Sequence, residues 1–389
     1  MQRLKLLILA LIVFGTFGSF AVADTALLSP AIEIVDVNDH DGISVSLKFT
    51  LKNESENPVE VLKWGTPLED EFTNDSFDVR HDGQPVPYVG MLVKRGNPGP
   101  ADYIRIGANQ TVSRIIALEK GYEIYQAGEY TVQYRESTIT AKISPDAQAE
   151  SDAVEGLLAD KQVLAPSNQV AFILINGMDE PVTVSRPLAA YACSKAQMDT
   201  INAALKEARN IALIARQALH NTPENQRPQA QRYKEWFGKY AASRYSTVMA
   251  HFDRISDALS NKQIYAACDD RSNIFAYVYP DKPYTIYFAG LFWAAPLNGT
   301  DSKAGTFVHE MSHFYVVAGT QDHVYGQNSA RNLADIDPDK AINNADNHEY
   351  FAENNPPLSM PVTSSPPPSG GDDDDDGGSG GCFIQSLGH

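Results

Sequence analysis

The chain has 389 residues, 43% of them hydrophobic, and a formal net charge of −18 at pH 7. Its length predicts two domains with a tail, and its composition is that of a globular protein. The negative charge argues against nucleic acid or an anionic membrane surface as a partner, because those partners require basic patches.

The amino terminus has the order of a secretory signal peptide. Two basic residues precede an apolar run at 6–14, and small residues at 21–23 stand before Asp24 as a cleavage site. The apolar run is too short for a helix that spans a bilayer. We therefore predict a signal peptide at 1–23, a secreted protein and no stable membrane span.

Residues 24–165 show the alternation of apolar and polar residues that is typical of β-strands. Runs such as 43–51 and 112–117 are separated by turn-forming clusters, for example 95–100. We predict an antiparallel β-sandwich, followed by a linker at 166–192 that contains a maturation site. The sandwich carries no catalytic motif, so we interpret it as a pro-domain that assists folding or blocks the cleft, or as an accessory module.

Residues 193–356 have the pattern of a mainly helical domain with a small β-sheet. Apolar residues recur at helical spacing over 194–220 and 230–259, and two β-rich runs follow at 274–279 and 284–292. The fold class is therefore α+β. We expect the second β-rich run to be the edge strand along which an extended substrate binds, since a free edge offers unpaired backbone groups.

Three cysteines and a biased carboxyl terminus complete the chain. Export leads to an oxidising compartment, so Cys193 and Cys268 are expected to form a disulfide, which leaves Cys382 unpaired. Residues 357–389 are rich in Pro, Ser and Gly and contain a run of Asp at 372–376. We predict a disordered, solvated tail, because like charges in a flexible segment extend it.

The segment His309-Glu310-Met311-Ser312-His313 lies within a run of helical periodicity. Residues four apart lie on one face of a helix, so both imidazoles can bind one metal ion with Glu310 beside it. Two such histidines, with the glutamate as base for an activated water, form the core of a zinc metalloprotease. We predict one Zn²⁺ per chain; a chance match on a packed helix is the alternative.

A third protein ligand must come from elsewhere in the chain. The subclass with a third histidine at fixed spacing is excluded, because that position is Gly319. Asp322 follows His313 by nine residues, just beyond a turn. Spacing favours Asp322 but leaves Glu349 and Glu353 open.

Residues 319–326, Gly-Thr-Gln-Asp-His-Val-Tyr-Gly, resemble the Gly-Thr-x-Asp-x-x-Tyr-Gly signature of the aspzincins, the family of deuterolysin and peptidyl-lysine metalloendopeptidase. The runs at 275–280 and 344–351 resemble the lysine-specific branch of that family. The likeness covers about 193–356, and Cys193 with Cys268 matches one of the family's disulfides. A second bridge of the fungal lysine-specific members is absent.

This resemblance implies a role for each residue of the motifs. His309, His313 and Asp322 are similar to the zinc ligands of the family, and Glu310 to its general base. Tyr325 resembles the tyrosine that hydrogen-bonds the developing oxyanion. The roles agree with elementary chemistry, since a base must accept a proton from water and a donor must meet the negative charge.

Asp346 and Glu349 are three residues apart on a predicted helix, so their carboxylates project from one face. Such a pair is more often a solvated surface, but together the two could form a negative pocket for an ammonium group. In the lysine-specific branch the matching carboxylates hold the lysine after the cut bond. The resemblance thus implies protein or peptide substrates that are cut on the amino side of lysine.

Two other functions compete with a secreted zinc endopeptidase that is made as a precursor. One is an extracellular binding protein whose peptidase domain is inert. The other is a zinc amidase that acts on cell-wall peptides.

Overall fold

A computed structural model of the chain describes residues 27–39, 42–69, 71–143, 160–178 and 192–361. The predicted signal peptide, residues 179–191 of the predicted linker, and the tail from residue 362 onward, which includes Cys382, lie outside these ranges.

The first region is built from antiparallel β-strands, as predicted. Within the described residues its strands are β1 (Leu28–Asn38), β2 (Ser44–Asn53), β3 (Val59–Leu62), β4 (Phe77–His81), β5 (Gln84–Pro85), β6 (Leu92–Arg95), β7 (Tyr103–Ile106), β8 (Thr111–Ala117), β9 (Gly128–Tyr134), β10 (Ser137–Ile143), β11 (Asp160–Leu164) and β12 (Gln169–Leu174). Along β2 the side chains of Val45, Leu47 and Phe49 are fully buried and alternate with half-exposed neighbours. This alternation is what places one face of a strand on a core.

The strands of the first region form three sheets, in the orders β1-β2-β8, β11-β10-β3-β7 and β12-β9-β4-β5. The region therefore has three sheets, whereas a sandwich has two. Apolar residues of all three sheets pack into one buried core. Strand β12 pairs with β9, from Gln169 opposite Gln133 to Leu174 opposite Gly128. Sheet pairing of the first region thus continues past residue 165, into a stretch where the sequence alternation becomes irregular.

The second region is mainly helical, as predicted. Its helices are α1 (Lys195–Asn221), α2 (Gln231–Phe237), α3 (Ala242–Asn261), α4 (Gly290–Ala294), α5 (Lys303–His313), α6 (Gln327–Ile336), α7 (Pro338–Ala341) and α8 (Ala345–Glu353), and its strands are β13 (Tyr265–Cys268), β14 (Ile274–Val278) and β15 (Thr285–Phe288). A disulfide joins Cys193 to Cys268 with a Cα–Cα distance of 5.1 Å, which confirms the expected pairing. Among the described residues, none of the helices combines the length and apolar character that crossing a bilayer requires.

Helix α5 lies at the centre of the second region, and all of its 11 residues are buried. It begins after Ser302, whose hydroxyl accepts a hydrogen bond from the N–H of Gly305 at 2.9 Å. A Cβ atom at Gly305 would lie 2.1 Å from Glu353 Oε1 and 2.8 Å from Glu349 Oε1. Glycine at this position is what allows the carboxylates of α8 to approach α5 so closely.

The sheet of the second region contains a strand from the first. Its order is β13-β15-β14-β6, and β6 pairs antiparallel with β14, with Val93 opposite Tyr277 and Leu92 opposite Val278. The expectation that the run at 284–292 is the edge strand is wrong, since β15 lies inside the sheet. Strand β14 lies between β15 and β6, so β14 would become an edge strand of this sheet if β6 were removed.

Candidate active site

Helix α5 brings His309, Glu310 and His313 together as the sequence predicts. All three side chains are fully buried, and the two imidazole rings are 4.9 Å apart, centroid to centroid. Because the residues lie one turn apart on one helix, both Nε2 atoms face the same space. His313 Nδ1 is 2.9 Å from the carbonyl oxygen of Thr320, which orients that ring.

Asp322 reaches the same space from the loop after α5. Its Oδ1 atom lies 3.2 Å from His309 Nε2, and its Oδ2 atom lies 3.5 Å from His313 Nε2. The turn that returns the chain to α5 passes through Gly319, which has a φ of +63°, a conformation that favours glycine. The side chain of Asn344 accepts hydrogen bonds from the backbone N–H groups of His323 and Val324 and so holds the loop.

The donor set fits a zinc ion. His309 Nε2, His313 Nε2 and Asp322 Oδ1 are buried and form no hydrogen bond of good geometry within the described residues. Ligand atoms of the three residues all lie within 4.8 Å of one another. Two imidazoles and one carboxylate, with room for a fourth ligand, are the usual protein contribution to a catalytic zinc site.

The two glutamates that spacing left open as ligands are engaged elsewhere. Glu353 Oε1 accepts hydrogen bonds from the N–H and hydroxyl of Ser302, at 2.8 and 2.7 Å, at the start of α5. Glu349 faces His309 Nδ1, the opposite side of the ring from Asp322. His309, Asp346 and Glu349 also lie close enough for a metal, but a lysine ammonium already lies against Glu349.

Glu310 follows His309 on α5 and is fully buried, and Tyr325 follows Asp322 by three residues in the loop. Burial raises the pKa of Glu310 to about 8, although the neighbouring His309 acts in the opposite direction. A cation bound beside this carboxyl would lower its pKa towards neutrality and leave it able to accept a proton. Burial keeps the pKa of Tyr325 well above its ordinary value, so the phenol remains a donor. The Tyr325 ring packs edge-on against Trp64 of the first region at 6.0 Å.

Asp346 and Glu349 form a buried pocket rather than a solvated helix face. Their side chains are at most 2% exposed, and the pocket contains the side chain of Lys94 from β6. Lys94 Nζ lies 2.6 Å from Glu349 Oε2, 3.5 Å from Asp301 Oδ1 and 4.0 Å from Asp346 Oδ1. Its side chain is 1% exposed, and Nζ also lies 4.9 Å from the centroid of the Phe275 ring.

Sequence reasoning missed the contributions of Lys94, Asp301 and Asn344 to this site. Lys94 belongs to a short strand with no catalytic motif, and only its sheet partner brings it to the pocket. Asp301 lies in the turn before α5. Asn344 stands in the run that resembles the lysine-specific branch, and its place before α8 indicates a helix cap, whereas its side chain holds the loop instead.

Comparison with known proteins identifies the family of this chain. The family described as lysine-specific metallo-endopeptidase, the aspzincins, matches residues 222–353. The chain is 40% identical over 358 residues to an extracellular protease of Aeromonas hydrophila, which covers 90% of this chain and 97% of that protein. It is 31% identical over 360 residues to a peptidyl-Lys metalloendopeptidase of Grifola frondosa, which covers 88% of this chain and 97% of that protein.

A solved zinc peptidase from Grifola frondosa is 43% identical and covers 43% of this chain and 100% of its own, with a TM-score of 0.40. Since the Aeromonas relative matches nine tenths of this chain, the likeness extends beyond residues 193–356 into the strand-rich first region. The paired histidines and adjacent glutamate of α5, the aspartate of the following loop and these relatives lead to one conclusion. The chain belongs to the aspzincin family of zinc metalloendopeptidases.

Proposed function

We propose that the chain is the secreted precursor of a zinc endopeptidase that cuts peptide bonds on the amino side of lysine. The observation that carries this proposal is the position of Lys94. A lysine of the first region lies in the acidic pocket beside the donor set, on a strand that is paired with the sheet edge as an extended substrate would be.

His309, His313 and Asp322 would hold one zinc ion, through the Nε2 atoms and the carboxylate. When bound, zinc supplies Lewis-acid chemistry: it lowers the pKa of water and polarises a peptide carbonyl. Glu310 accepts the proton of the attacking water and passes it to the leaving amine as the C–N bond breaks. The hydroxyl of Tyr325 donates to the oxygen on which negative charge develops.

The position of β6 supports the proposed direction of cutting. The backbone N–H of Val93 donates to Asp322 Oδ2 at 3.0 Å, so Val93 lies beside the donor set. Lys94, the next residue, places its ammonium against Glu349. A substrate lysine bound in this way would have the residue before it beside the donor set, which supports a cut on the amino side of the lysine. A compact ammonium on a flexible stem suits this enclosed pocket better than the planar fork of arginine does.

The same contacts favour an inhibitory pro-domain over an accessory module. Strand β6 fills the sheet edge, Lys94 fills the pocket, and Arg95 is held by Glu69 at 2.7 Å. Outside β6, the hydroxyl of Tyr315 donates to the carbonyl of Tyr88 at 2.8 Å. No substrate can take this path while β6 remains in place.

Activation then requires a cut that separates the two regions. Strand β12 ends at Leu174 and α1 begins at Lys195. A maturation cut at 179–191, within the interval that the sequence predicts, would leave the elements of both regions intact. Intact Glu310 beside a complete donor set counts against the alternative of an inert binding protein.

Digestion of a denatured protein by the mature enzyme tests the proposal. Mass spectrometry should find lysine immediately after the cuts, and a zinc chelator should abolish cutting until zinc is restored. Glu310→Gln protein purified in the same way is the control for contaminating proteases. Cuts spread over apolar residues would leave a general zinc endopeptidase and refute the lysine pocket.

A further inference from the structure

The side chains at the amino end of β6 point alternately into different surroundings. Lys94 lies in the acidic pocket, and Leu92 is buried in the core of the first region. Met91 and Val93 belong instead to a separate apolar cluster. Because successive side chains of a strand point to opposite faces, a peptide seated like β6 would turn its first and third residues before the lysine towards this cluster, and its second residue away from it.

Apart from Met91 and Val93, this cluster is built by the second region. We call its other members the tyrosine cluster: Ile274, Tyr277 and Ala289, which are buried, and Tyr279 and Tyr287, which are partly buried. All five lie on β14, on β15 or directly after these strands. The apolar surface that meets Val93 therefore stays with the peptidase when the first region is removed.

Tyr277 is the member of the tyrosine cluster that faces Val93 directly. The two residues lie opposite each other in the antiparallel pairing of β14 with β6, and they are 1% and 2% exposed. On its other side Tyr277 pairs with Tyr287 of β15, and the two rings stack with their centroids 4.7 Å apart and 8° between their planes. An aromatic ring directly opposite a β-branched side chain is a stabilising cross-strand pair.

Groups of the second region hold the Tyr277 ring in place. Its hydroxyl donates to Asp269 Oδ2 at 2.8 Å, and the guanidinium carbon of Arg271 lies 4.9 Å from the ring centroid. Together with the stack on Tyr287, these contacts fix the ring before a peptide binds, which lowers the entropy cost of binding. Because the hydroxyl is already bonded, the ring offers a neighbouring side chain an apolar surface.

We infer that the tyrosine cluster is a second specificity site of the peptidase, which selects an apolar residue immediately before the lysine and, more weakly, an apolar residue at the third position before it. The inference rests on the proposed function and adds a requirement on the other side of the cut bond. The methyl groups of a valine at the first position would be buried against the Tyr277 ring, as those of Val93 are. A hydroxyl group there would lose its hydrogen bonds to water without gaining a partner.

The test uses peptides that contain one lysine and carry valine or threonine at one of the three positions before it. The two side chains have nearly the same shape, so the exchange replaces a methyl group by a hydroxyl group. For the mature enzyme, released by processing of the full chain, threonine at the first position should lower kcat/KM by roughly 10-fold, mostly through KM. The exchange should cost about threefold at the third position and less than about twofold at the second, whose side chain points away.

Variants of Tyr277 separate the ring from its hydroxyl. Tyr277→Ala should bring the ratio of the rates for valine and threonine at the first position to within about twofold of one, whereas Tyr277→Phe keeps the ring and should keep the ratio. Tyr265→Ala is the matched control, because Tyr265 is 54% exposed and lies on β13, at the opposite edge of the sheet from β6. If Tyr277→Ala fails to fold by circular dichroism, Ile274→Ala takes its place and should lower the same ratio.

Equal rates for valine and threonine at the first position, an equally large effect at the second, or an unchanged ratio in Tyr277→Ala would overturn the inference. A failure of the proposed function looks different, and a matched peptide with methionine in place of the lysine detects it. The parent would then cut none of the peptides, or would cut those with lysine and methionine equally well. Cutting before lysine without regard to the preceding residue would leave the proposed function intact and remove the tyrosine cluster as a specificity site.

Discussion

The proposed block of the cleft by β6 predicts that replacing Lys94 with glutamine makes the uncut chain partly active before any cleavage. Although burial alone would lower it, the carboxylates of Glu349 and Asp346 raise the pKa of Lys94 above its ordinary value. The ammonium is therefore charged at neutral pH. Glutamine has a similar length but leaves the pocket carboxylates without their cation.

The magnitude follows from the burial of this ion pair. Lys94 and Glu349 are 1% and 0% exposed, so solvent does little to screen the loss. Removing one partner of a buried pair costs about 3–5 kcal/mol. Here the substitution destabilises the closed state, in which β6 lies in the cleft. It affects the open state much less, because water fills the pocket once β6 has left. At about 1.4 kcal/mol for each factor of ten, the open fraction should rise by roughly 10²-fold to 4 × 10³-fold.

The assay measures hydrolysis of a short peptide with one lysine by zinc-loaded precursor, while gel electrophoresis verifies that the chain is still intact. Lys142→Gln is the matched control, because Lys142 pairs with Glu60 at 2.8 Å on the surface of the same region. That variant should remain as inactive as the parent. An intact Lys94→Gln precursor with no more activity than the parent, or equal activation of both variants, would refute the reasoning.

Two further predictions concern the metal and the pH. Glu310→Gln should abolish turnover but retain zinc, whereas Asp322→Ala should lose zinc. Atomic absorption of the dialysed proteins measures the zinc content of both variants. Full zinc occupancy together with activity in Asp322→Ala would exclude Asp322 as a ligand. His251 Nδ1 lies 3.0 Å from His348 Nε2 in the core, and burial lowers the pKa of the first to about 4 and of the second to about 3. Unfolded histidine takes up its proton near pH 6.5, so the contribution of these two histidines to the free energy of unfolding should be fully present above that pH and should fall towards pH 4, by about 3 kcal/mol for His251 alone. Denaturant unfolding of the Glu310→Gln precursor at several pH values measures this slope, and an unchanged slope in His251→Asn would contradict the assignment.

Much of the local structure could be predicted because it depends on short-range geometry. Along β2 every second side chain is buried, and along the helix at 194–220 buried side chains recur about every 3.6 residues, because each element has one face on the core. Strand β12, beyond residue 165, is less evident from its residue types. Its side chains alternate in burial, but the exposed positions include Ile173, so the apolar run shows no alternation in the sequence.

The sequence by itself determined that His309, Glu310 and His313 share one helix face, since a spacing of four residues is one turn whatever surrounds it. Only the tertiary structure decided which carboxylate meets them. Asp322 and Glu349 both lie near His309, but on opposite sides of its ring.

Tertiary structure also decided what lies in the cleft. Lys94 and Glu349 are 255 residues apart in the chain and 2.6 Å apart in space. They meet because β6 leaves its own region to pair with β14, and the order of strands in a sheet depends on packing between distant segments. No local periodicity encodes that order, so a motif could indicate the chemistry of this protein, whereas the position of Lys94 in the acidic pocket became visible only in the fold.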